Sequence, residues 1–172
     1  PRCPFGSSQT RMRSAFLATT GLTEYWDREV PLIALGRWCL RADREAEWRN
    51  LRLTVMPSAW RDVSRYTRAC RYVDKVGERF LHELAGYLGS ELGVPSDPRY
   101  WRLILGAWLF RFVHAVYDRY VQLTLAYRLY PGLNSSALDP AAMKIPRDGA
   151  AAIYKLWDDG FNLQIFSQLL VQ

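Results

Sequence analysis

RYWRLILGAWLFRFVHAVYDRYVQLTLAYR, from Arg99 to Arg128, is a long run without proline, and Gly106 is its only glycine. Wound at about 100° per residue, its side chains sort into faces. Leu105, Trp108, Leu109, Phe112, Val113 and Val116 spread over a wide apolar arc. Arg111, His114, Asp118 and Gln122 recur at spacings of three, four and four, which makes one polar stripe. Arg102, Gly106, Val113 and Tyr120 lie on a different side. A helix that is apolar on most sides is usually buried, so the stretch reads as a core helix. A membrane span needs about 20 mostly apolar residues. Here the apolar run from Leu103 to Phe110 is followed closely by Arg111, His114, Asp118 and Arg119, and charges at that depth are costly.

The polar stripe is the most informative feature. A buried charge must be paired or hydrogen-bonded. His114 and Asp118 stand four apart and can face each other across one turn, with Arg111 one turn earlier. One reading is a structural network that holds neighbouring helices in register. The other is a polar wall of a ligand cleft. Spacing favours the first, because structural ion-pair networks produce the same pattern.

Ahead of this helix the pattern changes. AFLATT (Ala15 to Thr20) is a short apolar run ending before Gly21, a candidate first strand. Thr19 and Thr20 there are candidates to present hydroxyls and backbone N–H groups to an anion, although no complete phosphate-binding glycine motif is present. PLIALGRWCL (Pro31 to Leu40) contains a second strand, Leu32 to Leu35. Gly36 breaks it and leaves Arg37 and Trp38 at its carboxyl end, where open α/β sheets gather ligands. Trp38 is a candidate stacking platform, and Cys39 reads as a buried, inert thiol. Arg41 to Asn50 reads as a solvated, charged connection. Leu51 to Met56 alternates and predicts a third strand.

Ser58 is a candidate cap for a helix through Trp60, Val63 and Tyr66, along which Arg61, Arg65, Arg68 and Arg71 form a basic face. A further helix is expected from about Tyr72 to Leu92, with Val73, Val76, Phe80, Leu84 and Leu88 on one side. Ser96 or Asp97 can cap the long helix, with Pro98 in its first turn. Pro131 and Gly132 end it, a turn-rich loop follows to Pro146, and helix resumes from Arg147 with a start near Asp158 or Asp159. Strands joined by charged or helical connections suggest part of a parallel sheet. The expectation is an α/β chain with a short parallel sheet and a large helical part. Residues 1–13 read as an extension and 14–172 as a single α/β domain, the N-terminal part of a longer chain.

Composition bounds the function. The 172 residues carry a net charge of +6, from 23 basic and 17 acidic side chains, and arginine supplies nearly all the positive charge. Its planar fork suits carboxylates and phosphates. That is compatible with anionic substrates, nucleotides or an acidic membrane surface, but no basic cluster joins a nucleic-acid motif. Cys3, Cys39 and Cys70 are odd in number and widely spaced, so the reading is reduced thiols in a cytoplasmic protein. The two histidines, His82 and His114, do not make a zinc site, and no metal or cofactor is expected.

Three segments, FLATTGLTEYWD (Phe16 to Asp27), PLIALGRWCL (Pro31 to Leu40) and RYWRLILGAWLFRFVHAVYDRY (Arg99 to Tyr120), together resemble the N-terminal part of a family of bacterial transferases encoded among surface-polysaccharide biosynthesis genes. The tail WDDGFNLQIFSQLL (Trp157 to Leu170) resembles that family's next aromatic-acidic helix. Ala107 departs from the pattern, since a proline is expected after Gly106; its absence removes a kink. The resemblance implies a glycosyltransferase-like protein with two Rossmann-like halves, of which this chain holds the N-terminal, acceptor-side one. It implies an activated, nucleotide-linked sugar donor, a carbohydrate acceptor, a missing C-terminal domain and work at the inner membrane face. On that reading His114 paired with Asp118 is the candidate base, and Arg102, Arg111 or Arg119 holds anionic groups. The alternatives are a non-catalytic binding module for an anionic glycan or nucleotide, and a scaffold with an aromatic partner surface.

Overall fold

The computed structural model describes residues 15–95 and 97–171; the expected extension over 1–13 lies outside them. The described chain is α/β and mostly helical. Three short strands, β1 (Phe16–Ala18), β2 (Leu32–Ala34) and β3 (Leu53–Val55), form a parallel sheet in the order β1-β2-β3. Phe16 is in register with Leu32, and Leu32 with Leu53. β1 and β2 are buried throughout, the near-continuous apolar run expected of a covered parallel sheet. β3 is an edge strand, and Thr54 at its centre is exposed.

The other edge of β1 is taken by a later segment. Leu17 N–H donates to the Asn134 carbonyl at 2.7 Å and Asn134 N–H to the Ala15 carbonyl at 3.0 Å, a single parallel bridge. The sheet therefore grows one way from β1 through β2 and β3, and the other way to Asn134. The short crossovers depart from a Rossmann-like half. Those from β1 to β2 and from β2 to β3 hold 3-10 turns and the four-residue helix α1 (Glu45–Trp48) instead of long helices.

Between β3 and Asn134 runs a helical hairpin, α2 (Val63–Leu92) and α3 (Pro98–Leu129). The two helices expected over 58–66 and 72–92 are one. It starts at Asp62, whose carboxylate accepts from the N–H groups of Ser64 (2.8 Å) and Arg65 (3.2 Å). Ser58 closes only the preceding turn, accepting from Trp60 N–H at 3.1 Å. Gly93, at φ 64°, takes the left-handed conformation that ends α2. Asp97 then caps α3 with Pro98 at its start.

The buried stripe of α2 is Val73, Gly77, Leu81, Ala85 and Gly89, an unbroken every-fourth-residue row. It is rotated from the expected row: Phe80 is exposed, while Val76, Leu84 and Leu88 are only half buried. The reason is size. A Cβ on Gly77 would stand 2.8 Å from the Phe110 ring, so small residues admit α3 where a search for large apolar residues gives them no weight.

α3 is not the fully buried helix its composition suggests. Trp101, Gly106, Leu109, Val121, Leu123 and Ala126 are buried, but Leu103 is 86% exposed and Ile104 and Tyr120 about half exposed. Its last turns enter the sheet core, where Leu123 and Ala126 meet Leu17, Ala34, Leu133 and Phe166. Its first half packs in a separate hairpin core with Leu81 and Ala85. Two helices close the chain, α4 (Gly149–Lys155) against α3 and α5 (Asp159–Leu170) against α3 and the sheet core. Asp158 caps α5, accepting from Phe161 N–H at 2.8 Å, which places the helix start where the paired aspartates suggest.

Candidate functional site

The polar stripe of α3 climbs from exposed Arg111 to buried Gln122, and three of its members have partners on the preceding segment or helix. His114 Nε2 hydrogen-bonds Asp74 of α2 at 2.9 Å. Asp118 accepts from the Trp60 indole N–H, and Gln122 accepts from the Ala59 N–H at 3.4 Å. The stripe is thus a set of ties that fixes α3 against α2 and the segment before it. This corrects the expected His114–Asp118 pairing: each side chain is drawn to a different neighbour, because the partners lie across the hairpin and not along the helix.

The same stripe also borders open space. A cavity of about 500 Å³ is lined by Phe110, Arg111, His114, Arg119, Ile153 and Trp157, among others. A second, of about 290 Å³, is lined by Trp38, Asp118, Arg119, Trp157, Asp159 and Asn162, among others. They share Arg119, Leu156 and Trp157, and together form one cleft between α3, the α4–α5 connection and the carboxyl end of β2. Sites that take small ligands are commonly 300–1,000 Å³ with a few convergent polar groups. Five of the sequence candidates, Trp38, Arg111, His114, Asp118 and Arg119, line it.

The strand ends build the floor. Gly36 is extended, and a Cβ there would collide with the Trp38 ring, so glycine lets the indole fold back over its own chain. Trp38 Nε1 then donates to the Thr19 carbonyl at 3.2 Å. Trp26 Nε1 donates to the Thr20 carbonyl at 3.0 Å. Thr19 and Thr20 are consequently almost fully buried; the space beside them, toward Ser135 and Ser136, is about 10 Å³. The change of direction between β1 and Asn134 is where open α/β sheets hold ligands, but here side chains fill it, and the open cleft lies farther along, beyond β2.

Arg119 lines both cavities, and Arg41 holds Asp159, which lines the second. Arg119, 21% exposed, donates to Asp118 at 3.0 Å and twice to Asn162 Oδ1, from Nε at 3.0 Å and Nη2 at 2.8 Å. Arg41 lies over Gly21, grips Asp43 with two bonds and reaches Asp159 of α5 at 2.9 Å. The Asp43 and Asp159 carboxylates raise its guanidinium further above its ordinary value, and Arg41 in turn lowers the Asp43 carboxyl. Reading residues 41–50 as merely solvated misses this tie, which joins positions 118 apart.

Two arginine candidates fare differently from Arg119. Arg37 is exposed at the strand end, beside Trp38. Arg102 is not in the cleft. It pairs with Glu78, covers the Phe110 ring at 5.5 Å, and stands about 25 Å up the helix from Arg119 at about 1.5 Å per residue. Cys39 behaves as an inert thiol: fully buried, it donates from Sγ to the Ala18 carbonyl at 3.3 Å, and burial pushes its pKa to about 12. The residues that sequence reasoning missed are Asp74, Trp60, Arg41, Asn162 and Trp157, the last lining both cavities. Asn162 and Trp157 lie in a quoted segment, but nothing in their spacing signals that they meet Arg119.

A separate groove of about 410 Å³ along the hairpin, bordered by Tyr72, Phe80, Phe112, Val116 and Tyr120, is almost wholly apolar and offers nothing to orient a reacting group. Among the described residues no group of three or more His, Cys, Asp or Glu side chains is placed to hold a metal ion, and no helix is long and apolar enough to cross a membrane.

The fold and cleft define a small parallel α/β unit with a helical hairpin and a mixed polar-aromatic cleft beyond its strand ends. Residues 15–172 match the model of the LIC12162 family transferase, so the chain belongs to that transferase family. No curated protein and no solved structure matches it.

Proposed function

We propose that this chain is the acceptor-side part of a glycosyltransferase-like enzyme of bacterial surface-carbohydrate biosynthesis, completed by a C-terminal, donor-binding part. The observation that carries the reading is the pair of adjoining cavities beyond β2, which share Arg119 and Trp157 and are lined by His114 in the first and Trp38 in the second, each large enough for a sugar. Family membership supplies the reaction class, transfer.

In this reading an acceptor hydroxyl oxygen attacks the anomeric carbon of a nucleotide-linked sugar. The hydroxyl proton passes to His114, the bond from that carbon to the phosphate oxygen breaks, and the nucleotide leaves with the electron pair. Asp74 takes the orienting part first given to Asp118. Accepting from Nε2–H, it leaves Nδ1 of His114 as the basic nitrogen. Asp118, engaged by Trp60 and Arg119, shapes the wall and holds Arg119. Arg111, exposed on the cleft rim, and Arg119 hold anionic groups.

The test is turnover by the full-length natural protein with nucleotide sugars and carbohydrate acceptors. His114→Ala is expected to lower kcat about 10²-fold or more with donor KM unchanged. Unaltered turnover would remove His114 from the chemistry. Tight binding of a nucleotide sugar to residues 15–172 alone would refute the division into acceptor and donor parts.

A further inference from the structure

Trp157 is 86% exposed, yet it is among the most firmly held positions on the cleft. It sits in the short connection between α4 and α5. Asn162 Nδ2 donates to the carbonyls on both sides of it, those of Leu156 and Asp158, each at 2.9 Å. Asn162 Oδ1 is in turn held by two bonds from Arg119. The start of α4 is docked on α3, where a Cβ on Gly149 would stand 2.6 Å from the Trp108 ring. Backbone, strut and helix are thus fixed, while the indole itself is left in water at the wall shared by both cavities. A large apolar ring kept exposed on a rigid mount is the arrangement that serves a flat or half-apolar ligand, because little freedom is lost on binding.

The two sides of Trp157 differ in charge. On one side the cationic groups are Arg111 and Arg119, the His114 imidazole also lines the space, and no carboxylate does. Arg111 is exposed and has no ion pair among the described residues. On the other side Trp38 lines the space with the fully engaged Asn162 and with Asp118 and Asp159, whose carboxylate oxygens suit hydroxyl donors.

Resting on the acceptor-side reading above, we propose that Trp157 is the stacking platform of a subsite for a pyranose bearing one anionic substituent. The apolar face of the ring lies on the indole, its carboxylate or phosphate is met by Arg111 on that side, and the hydroxyls of the adjoining sugar are met by Asp159 on the other.

Calorimetric titration of the chain with three trisaccharides tests this: one neutral, one ending in a uronic acid, one ending in a 6-phosphate. At least one anionic form is expected to bind about tenfold tighter than the neutral one, and the comparison of the two tells carboxylate from phosphate. Trp157→Ala is expected to weaken all binding about tenfold or more. Arg111→Gln is expected to erase the anionic preference and leave neutral binding in place. Both side chains are exposed, so unchanged circular dichroism and melting confirm that the variants fold. Equal affinity for neutral and anionic glycans, wild-type affinity in Trp157→Ala, or no binding of any of the three would overturn the proposal. These readouts are binding alone. Their failure leaves the His114 turnover test standing, and failure of that test leaves these standing.

Discussion

The sheet unit and the helical hairpin are stabilised in opposite ways. In the sheet, β1 and β2 are covered on every side by the end of α3, α5 and the loop tryptophan Trp26. In the hairpin, contact runs along one row of small and medium residues on α2, and the outer flanks of both helices keep Phe80, Tyr87, Leu103 and Ile104 in solvent. The first region gains from total removal of apolar surface from water. The second gains from close approach of two backbones. A side chain's type therefore predicts its energetic weight in the sheet, whereas in the hairpin its position on the helix decides.

The largest contrast should appear in thiol reactivity. Cys39 behind the sheet is fully buried, while Cys70 on α2 is half buried. Alkylation of Cys39 should require opening of the sheet unit and run about 10³-fold or more slower than at Cys70, read by timed alkylation and peptide mapping. Comparable rates would mean that the sheet is no tighter than the hairpin. The same burial has a pH signature. The Cys39 thiol keeps its proton in the folded state from its ordinary 9.0 up to about 12, while the unfolded chain loses it. Stability should therefore fall as pH rises through that window, and Cys39→Ala should flatten the fall in denaturant titrations.

Next in size, Leu17→Ala at the centre of β1, where the side chain has no exposure, should cost about 2–5 kcal/mol. Ala85→Leu in the small-residue row should cost about 1–3 kcal/mol by overpacking, although it adds apolar surface. An unchanged or raised stability for Ala85→Leu would show that the helices can separate freely, and the close-approach account would fail. Asp158→Ala, which removes the cap of α5, should cost about 1 kcal/mol. Leu103→Ala, on the exposed flank, should change stability by no more than about 0.5 kcal/mol. A larger loss at Leu103 would place it in a contact that the hairpin alone does not provide.

Legibility followed the same division. The strands could be read because burial on both faces writes itself as unbroken apolar runs, as in Phe16 to Ala18 and Leu32 to Ala34. The long helix could be read from its missing prolines and from Asp97 and Pro98 at its start. The buried row of α2 could not, because Gly77 and Gly89 look like weak helix residues until a neighbour is known. In the cleft, Trp38, Arg111, His114, Asp118 and Arg119 stood out by type and spacing. Their partners Asp74, Trp60 and Asn162 did not, since each is a common polar or aromatic residue distant in sequence.

By itself, then, the sequence determined where the strands and the long helix α3 fall, the caps of α3 and α5, and which side chains carry unusual chemistry, since these follow from local geometry and periodic burial; it divided α2 in two and placed its cap at Ser58 instead of Asp62. Only the tertiary structure decided that His114 turns to Asp74 and away from Asp118, that Thr19 and Thr20 are closed off by indoles, and that Trp157 stands exposed on a fixed mount. Those outcomes depend on distances between segments tens of residues apart, set by how closely helices pack, and no local pattern records them.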